Sequence, residues 1–346
     1  MNPRGDPVVR PSPDPLKIFV DLEGHEYWYR RELEALFSSL VGSSEAVLAT
    51  SRSTADCVLQ MEGAPQLKAR FLDCYHRGEP EHPRRFVWDS GDLPTGAMAG
   101  LYVSLPSYMH DRRRHRAFCL PIRCAETVRA YDISDATHLY GFFGAISSGL
   151  RARMAAILRG QPEPQRGLIE IRDSIWHQMF DRSGLRAKQD YAESLRRCRF
   201  NLCPRGSVLA GTGSRLYETM QAARVPVIIS DWMTLPEGVD WNSCSVRVKE
   251  RDLARIPQIL ESYSEQWPSM AHHARREWEA HFSEEALLGE LGRQIRPLLA
   301  WKHEQSPLNR VDGALRISLG LLSWNCRQLL TRVQRLRRLA RKSSGS

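Results

Sequence analysis

The sequence lacks any long apolar run and any feature of an export signal. No stretch reaches the roughly 18 consecutive apolar residues that a membrane-spanning helix requires, and the opening segment is rich in proline. That segment has no apolar core of about 7–15 residues, which a secretory signal peptide would contain. We therefore expect residues 1–15 to form a disordered leader and the protein to be cytoplasmic.

The sequence also lacks a metal-binding cysteine pattern. Its 8 cysteines include no C-x-x-C pair, and Cys119 and Cys124 stand five apart, as do Cys198 and Cys203. We interpret most of them as small core residues in a reducing compartment. A disulfide in an oxidising compartment, between Cys57 and Cys74, is the alternative.

What is present is typical of a globular protein large enough for two cores. The chain has 346 residues, of which 42% are hydrophobic and 26% charged. Strand and helix patterns alternate in two blocks. The first block has strands predicted over 17–21, 46–50, 57–61, 84–94 and 117–124, with a helix over about 26–40. The second block begins with a strand, a glycine turn and a helix, which together span 138–158. The turn, which includes Gly141 and Gly144, either allows close packing of the strand and the helix or contacts a ligand. Helices are predicted again over 184–197, 252–263 and 267–282.

The net charge of +9 owes much to the end of the chain. Residues 327–342 are strongly basic and contain no acid, and Leu329, Leu330, Val333 and Leu336 recur at helical spacing. Such a helix, extended upstream to residue 314, suits an anionic membrane surface. A helix packed on the protein with a solvated basic face is the equal alternative. Nucleic acid is disfavoured as a partner, because no aromatic residues interleave the charges.

The most informative segment is 199–241. It predicts a strand, a loop containing Gly206, Gly211 and Gly213, a helix that begins near Ser214, and a second buried strand that ends before Asp231. The loop and the helix start also hold Arg205 and Arg215. Backbone N–H groups of a glycine-rich loop and a helix start, together with arginines, bind the phosphates of a nucleotide.

One helical turn after Arg215 comes Glu218, on the same face of the helix. A carboxylate there can accept hydrogen bonds from ribose or sugar hydroxyls while the arginine pairs with phosphate. The alternative is that Arg205 and Glu218 form a structural ion pair. Asp231 also has two interpretations, as a residue that contacts the sugar part of the ligand or as a residue that forms the following turn. Trp232 is predicted to lie in the core or to line the cleft.

These residues resemble the exostosin-like glycosyltransferases, glycosyltransferase family 47. The hallmark is F-x-L-x-P-R-G, a loop, R-[LF]-x-E-[AT], and then P-V-[IM], a polar residue, L-P and W. The matching positions are Phe200, Leu202, Pro204, Arg205, Gly206, Arg215, Leu216, Glu218, Pro226, Val227, Ile228, Asp231, Leu235, Pro236 and Trp241. Gly213 and Thr219 depart from the Ser and Ala that are common in the family.

The resemblance implies an α/β protein of GT-B type, with two Rossmann-like doubly wound domains that face each other across a cleft and a helical C-terminal tail. We expect an acceptor-side domain over 16–130, a domain that binds the nucleotide sugar over 131–300, and a basic tail over 301–346. The resemblance also implies an inverting transferase that needs no metal or other cofactor. The donor is a nucleotide diphosphate sugar, with a UDP-sugar favoured, and the acceptor is a glycan or polysaccharide. Because the animal members are membrane-anchored and this chain shows no anchor, a bacterial cytosolic enzyme, peripheral to the inner membrane at most, is expected.

An inverting transferase needs a general base on the acceptor side. The candidates are Asp21, Glu23 and His25 after the first predicted strand, and Asp89 and Asp92 in the W-D-S-G-D stretch. The sequence does not choose among them, and aspartates in turns often only bend the chain. A non-catalytic protein that binds nucleotide or glycan and is recruited to the membrane by the basic tail is the alternative function.

Overall fold

The computed structural model describes residues 14–22, 30–40, 42–62, 83–90, 96, 98–119, 127–161, 166–172, 185–206, 211 and 213–303. Two base candidates, His25 and Asp92, lie outside these residues, as do Glu23 and Cys74. The predicted leader, apart from its last two residues, and the basic helix over 314–342 lie outside them as well. Those predictions remain predictions.

The first half of the described chain forms a parallel six-stranded sheet. Its strands are β1 (Leu16–Asp21), β2 (Ala46–Leu48), β3 (Cys57–Glu62), β4 (Arg85–Asp89), β5 (Gly100–Tyr102) and β6 (His115–Ala117). They lie in the order β2-β1-β3-β4-β5-β6, and every pairing is parallel. Because the order reverses between β1 and β3, this sheet has a topological switch point beside the end of β1.

The second half forms a parallel five-stranded sheet. Its strands are β7 (His138–Gly144), β8 (Gly167–Ile171), β9 (Cys198–Pro204), β10 (Val225–Ile229) and β11 (Val246–Val248). The order is β11-β10-β9-β7-β8. All five residues of β10 are buried, as a parallel strand covered on both faces requires. The switch point of this sheet lies between β7 and β9.

Helices flank both sheets. They are α1 (Arg30–Ser39), α2 (Gly149–Arg159), α3 (Leu185–Arg196), α4 (Arg215–Gln221), α5 (Trp241–Cys244), α6 (Ile256–Glu261), α7 (Trp267–His281) and α8 (Glu284–His303). On the second sheet, α2 and α6 contribute to one core cluster and α3 to another. The second sheet is therefore covered on both faces, and the predicted α/β class with two parallel sheets is confirmed.

Several predicted elements are shorter or displaced. The strand predicted over 84–94 ends at Asp89, and the one predicted over 117–124 is β6, which ends at Ala117. The helix predicted over 252–263 is a 3-10 turn, Leu253–Arg255, followed by α6. Strands β5 and β8 were not predicted at all.

Helix α8 packs on the first sheet although it follows the second in the chain. Its residues Leu291 and Ile295 are buried in one apolar cluster with Ile18 and Phe86. The two halves of the molecule are thus joined by the last described helix as well as by the linker between β6 and β7. The predicted boundaries at residues 130 and 300 stay predictions. Within the described part of the chain, no helix is long and apolar enough to cross a membrane.

Arg224 fastens the linker between the sheets to the second half. Ala223, with φ 53°, adopts the left-handed conformation, which costs a non-glycine residue about 1–2 kcal/mol. Directly after it, the fully buried Arg224 side chain donates to the carbonyls of Tyr131, Asp132, Arg196 and Ala223 at 2.8–3.3 Å. Burial lowers the pKa of Arg224 from its usual value. One guanidinium therefore ties the linker to the ends of α3 and α4.

Candidate active site

The loops at the carboxyl ends of the two sheets meet. Gly211, in the glycine-rich loop after β9, lies so close to Ser104, after β5, that a Cβ on Gly211 would stand 2.2 Å from the Ser104 hydroxyl oxygen. The Ser107 N–H donates to the Trp232 carbonyl at 2.8 Å. Ligands of open α/β sheets bind at these carboxyl ends. The candidate site is therefore bounded by both halves of the chain.

Arg215 occupies the switch point of the second sheet. Its Nη2 donates to the Phe143 carbonyl at 2.5 Å, and its guanidinium carbon stands 4.8 Å from the centre of the Phe142 ring. Among the described contacts, its buried Nε has no hydrogen-bond partner. A Cβ on Gly144 would stand 2.7 Å from Nη2. Gly144, the last residue of β7, thus makes the room that the arginine occupies.

A neighbouring glycine serves packing instead. A Cβ on Gly141 would stand 2.2 Å from the Cys198 sulfur on β9. The close approach of the two strands therefore needs glycine there. Gly141 therefore serves the packing of two strands, whereas Gly144 fits a role at the site.

Arg151, which sequence reasoning missed, spans the same switch point. Its guanidinium donates to the carbonyl of Ala145, after β7, and to that of Pro204, at the end of β9, both at 3.4 Å. It also stands 5.8 Å from the centre of the Phe142 ring. Two guanidinium groups therefore lie near the Phe142 ring. The feature of the sequence that could have indicated Arg151 is its position in the first turn of α2, three residues after the capping Ser148.

Glu218 is buried and held by a tyrosine that the sequence did not indicate. The Tyr191 hydroxyl, from α3, donates to Oε2 of Glu218 at 2.5 Å, and Glu218 is 5% exposed. Burial, reinforced by the Glu218 charge, raises the pKa of Tyr191 well above its usual value. The tyrosine hydroxyl therefore stays protonated and fixes the carboxylate. The Tyr191 ring also lies 5.4 Å from the Arg215 guanidinium.

Arg205 has a partner other than the one considered from sequence. Its Nε and Nη2 donate to the two carboxylate oxygens of Glu250 at 2.6 and 3.0 Å. Asp231 in turn accepts from the Glu250 backbone N–H at 3.0 Å. The suggested ion pair between Arg205 and Glu218 is therefore wrong, because Glu250, 45 residues along the chain, fills that place. Asp231 holds the β10 and β11 loops together.

The glycine-rich loop is described in part. The Gly206 N–H donates to the Gly211 carbonyl at 2.8 Å, which closes the loop on itself. Gly213 has φ 72° and so adopts a conformation that favours glycine. Ser214 precedes α4, as predicted, but makes no side-chain capping bond. These residues frame the start of α4 beside Arg215.

On the first sheet, the described base candidates are Asp21 and Asp89. Asp21 ends β1 at the switch point, is 7% exposed, and accepts from Nη2 of Arg52 at 2.8 Å. Asp89 ends β4 and is completely buried. Asp21 fits the role of a base better than Asp89 does, because ligands of such sheets bind at the switch point. The two aspartates lie at the ends of different strands, separated by β3.

The described cysteines and acidic groups give no metal centre. Cys57, Cys119, Cys198, Cys203 and Cys244 are free and buried, and burial raises the pKa of Cys57 and Cys203 to about 12. No three His, Cys, Asp or Glu side chains of the described ranges are placed to hold an ion. The expectation that catalysis needs no metal remains a prediction.

With this geometry in place, known proteins resemble the second half of the chain. Residues 153–263 match the model of the Exostosin GT47 domain. Arg205, Arg215 and Glu218 lie inside this segment, and Arg151 lies just before it. The predicted resemblance to exostosin-like glycosyltransferases is confirmed over these residues.

The curated relatives are much longer than the matched region. The Exostosin-1 homolog of Caenorhabditis elegans is 44% identical over 77 residues, which cover 22% of this chain and 20% of the relative. Exostosin-1a of Danio rerio is 36% identical over 134 residues, which cover 37% of this chain and 18% of the relative. The chain thus spans about a fifth of the length of these relatives. Among solved structures, a glycosyltransferase from Rickettsia africae ESF-5 aligns over 85% of this chain and 100% of its own, with a TM-score of 0.41 and 10% identity.

Proposed function

From the match of residues 153–263 to the Exostosin GT47 domain, we propose that this protein is an inverting glycosyltransferase. It moves a sugar from a nucleotide diphosphate sugar, with a UDP-sugar favoured, to a hydroxyl of a glycan or polysaccharide. The observation that carries the proposal is the placement of Arg151 and Arg215 at the switch point of the second sheet, each near the Phe142 ring.

Arg151 and Arg215 both bring positive charge to the carboxyl-end edge of the second sheet, where an anionic ligand is favoured. The diphosphate of a nucleotide sugar is such an anion, and planar guanidinium groups match its oxygens. Each buried donor aimed at charge that develops on the leaving group is worth about 3 kcal/mol in the transition state. Arg205, with the N–H groups around Gly206 and Gly211, Gly213 and Ser214, completes the donor side.

Glu218, fixed by Tyr191, binds a ribose or donor-sugar hydroxyl in this proposal. Asp21 is the general base. It removes the proton of the acceptor hydroxyl while the oxygen attacks the anomeric carbon, and the nucleoside diphosphate departs from the opposite face. The Asp21 carboxylate then carries the proton, so charge and atoms balance. Asp231 supports the donor side indirectly, through the backbone N–H of Glu250.

Calorimetric titration with UDP, GDP, CMP and ADP tests the donor site. We expect one nucleoside diphosphate to bind, and Arg215→Ala to weaken it by about 10- to 100-fold, because a charge-assisted hydrogen bond is worth about 1.5–3 kcal/mol. Arg255→Ala is the matched control, since that side chain belongs to the same half and is 68% exposed. Binding of no nucleotide, or equal binding by Arg215→Ala, would overturn the donor-site assignment.

Turnover separates the enzyme from a non-catalytic binding protein. We expect the purified chain to release the nucleoside diphosphate from its sugar donor, and to do so faster when acceptor is present.

The alternative of a membrane-recruited binding module predicts that removal of residues 314–346 abolishes the main activity. The transferase proposal predicts that the same truncation changes only location or access to acceptor. A cytoplasmic location, with contact to an anionic membrane through 314–342, belongs to the same proposal.

A further inference from the structure

Two large aromatic side chains are exposed where the two halves of the molecule meet. Tyr108, after β5, is 58% exposed and Trp232, after β10, is 54% exposed. Large aromatic rings left in water mark binding surfaces more often than single exposed aliphatic residues do. The two rings are neighbours, with centroids 5.6 Å apart and planes at 83°.

The backbone fixes this aromatic pair. Ser107 donates its N–H to the Trp232 carbonyl at 2.8 Å, and Pro106 and Met233 form an antiparallel bridge. Met233 is itself buried, and its carbonyl accepts from Arg247 at 3.1 Å. The two rings are therefore presented by anchored segments, one from each half of the molecule.

The pair adjoins the donor side. Trp232 follows Asp231, which accepts from the Glu250 backbone, and Glu250 holds Arg205. Four residues before Tyr108, Ser104 contacts Gly211 of the glycine-rich loop. A molecule seated on the aromatic pair therefore lies next to the place where the donor sugar is proposed to react.

We propose that Tyr108 and Trp232 form an acceptor subsite that binds a saccharide ring. This inference rests on the proposed transferase function. A pyranose ring has an apolar face of C–H groups that loses water when it stacks on an aromatic ring, while its hydroxyls at the rim remain hydrated. The Arg112–Glu237 ion pair, one residue from each half, offers a donor and an acceptor to such hydroxyls on the same surface.

The test compares saccharide binding with nucleotide binding in the same variants. Full-length protein, saturated with the nucleoside diphosphate that binds it, is applied to an array of natural oligosaccharides, and the strongest oligosaccharide is then titrated in solution. We expect Trp232→Ala and Tyr108→Ala each to weaken that oligosaccharide at least about 10-fold, since aromatic hot spots are worth 1–2 kcal/mol or more. Nucleotide affinity should stay within about twofold of wild type, which also shows that each variant is folded. Trp232→Phe should keep most of the saccharide affinity.

The matched control is Leu185→Ala, which removes another apolar side chain that is 56% exposed, at the start of α3. The subsite is wrong if Trp232→Ala binds the oligosaccharide as wild type does, or if no oligosaccharide binds. It is also wrong if Trp232→Ala loses the nucleotide instead, because the ring would then serve the donor base. Failure of the transferase proposal is distinguishable, since in that case wild-type protein binds no nucleotide.

Discussion

The two sheets begin with the same strand order, but different side chains lie at their switch points. In the first sheet the strands run β2-β1-β3, and in the second β8-β7-β9. Asp21 ends β1 at the first switch point, whereas Gly144 ends β7 at the second. The glycine leaves room for Arg215, while the aspartate pairs with Arg52. The same strand order thus places a carboxylate at one switch point and makes room for an arginine at the other, through the last residue of β1 or of β7.

In the proposed function, this difference gives each half its own chemical task. Arginines at a switch point bind and stabilise the anionic donor and its leaving group. A carboxylate at the opposing switch point suits removal of a proton from an acceptor. A variant that affects donor binding alone, or proton removal alone, therefore tests whether the tasks are separate.

The largest effect is expected from Asp21→Asn. Loss of a general base lowers kcat/KM by about 10²- to 10⁴-fold, while affinity for the nucleoside diphosphate should stay within about twofold. The amide keeps the size of the side chain and its ability to accept from Arg52. Initial rates of nucleoside diphosphate release in the presence of acceptor, together with calorimetry, measure both quantities.

Asp89→Asn is the comparison variant for the same question. Because Asp89 is completely buried, we expect it to alter the free energy of unfolding more than the rate. If Asp89→Asn abolished activity with unchanged stability while Asp21→Asn stayed active, the base would lie at the end of β4. The contrast between the two switch points would then be lost.

How far the sequence predicts this site depends on how local each contact is. The strand, the glycine-rich loop and the start of α4 lie within one short segment, so Arg205, Arg215 and Glu218 could be singled out from their spacing. Their partners are distant in sequence because parallel strands need long crossover connections. Glu250 lies 45 residues from Arg205, and Tyr191 lies 27 residues before Glu218.

The elements that escaped prediction have weak local patterns. Strand β5 is three residues long and begins with Gly100, whose Cβ would stand 2.0 Å from the Val87 carbonyl oxygen. A three-residue strand shows no periodicity, and its glycine is required by the neighbouring strand. Arg151 was missed because an arginine in the first turn of a helix is usually solvated, and only the positions of Ala145 and Pro204 reveal its role.

A second difference between the halves is that the linker between β6 and β7 is bonded to the second half. The variant Arg224→Met tests this attachment. The variant leaves the carbonyls of Tyr131, Asp132 and Arg196 without their donor, so we expect a loss of about 3 kcal/mol in the free energy of unfolding. Urea denaturation measures this loss. Arg255→Met, at an exposed position, should change stability by no more than about 0.5 kcal/mol. A similarly small change for Arg224→Met would mean that the linker is held by other contacts.

The smallest effect is expected from Tyr191→Phe, which sharpens the account of the donor half. Glu218 keeps its charge and its place but loses the hydroxyl that fixes Oε2, so we expect the donor KM to rise about fivefold, equivalent to about 1 kcal/mol, with a smaller change in kcat. Since the pKa of Tyr191 is raised well above its usual value, the hydroxyl stays protonated at neutral and mildly alkaline pH. The ratio of variant to wild-type KM should therefore be constant between about pH 6 and 9.

Tyr131→Phe is the control. It removes another hydroxyl that donates to a backbone carbonyl, at 3.3 Å, and should leave the donor KM unchanged. Equal KM values for the two variants would show that Tyr191 supports the fold rather than the position of Glu218.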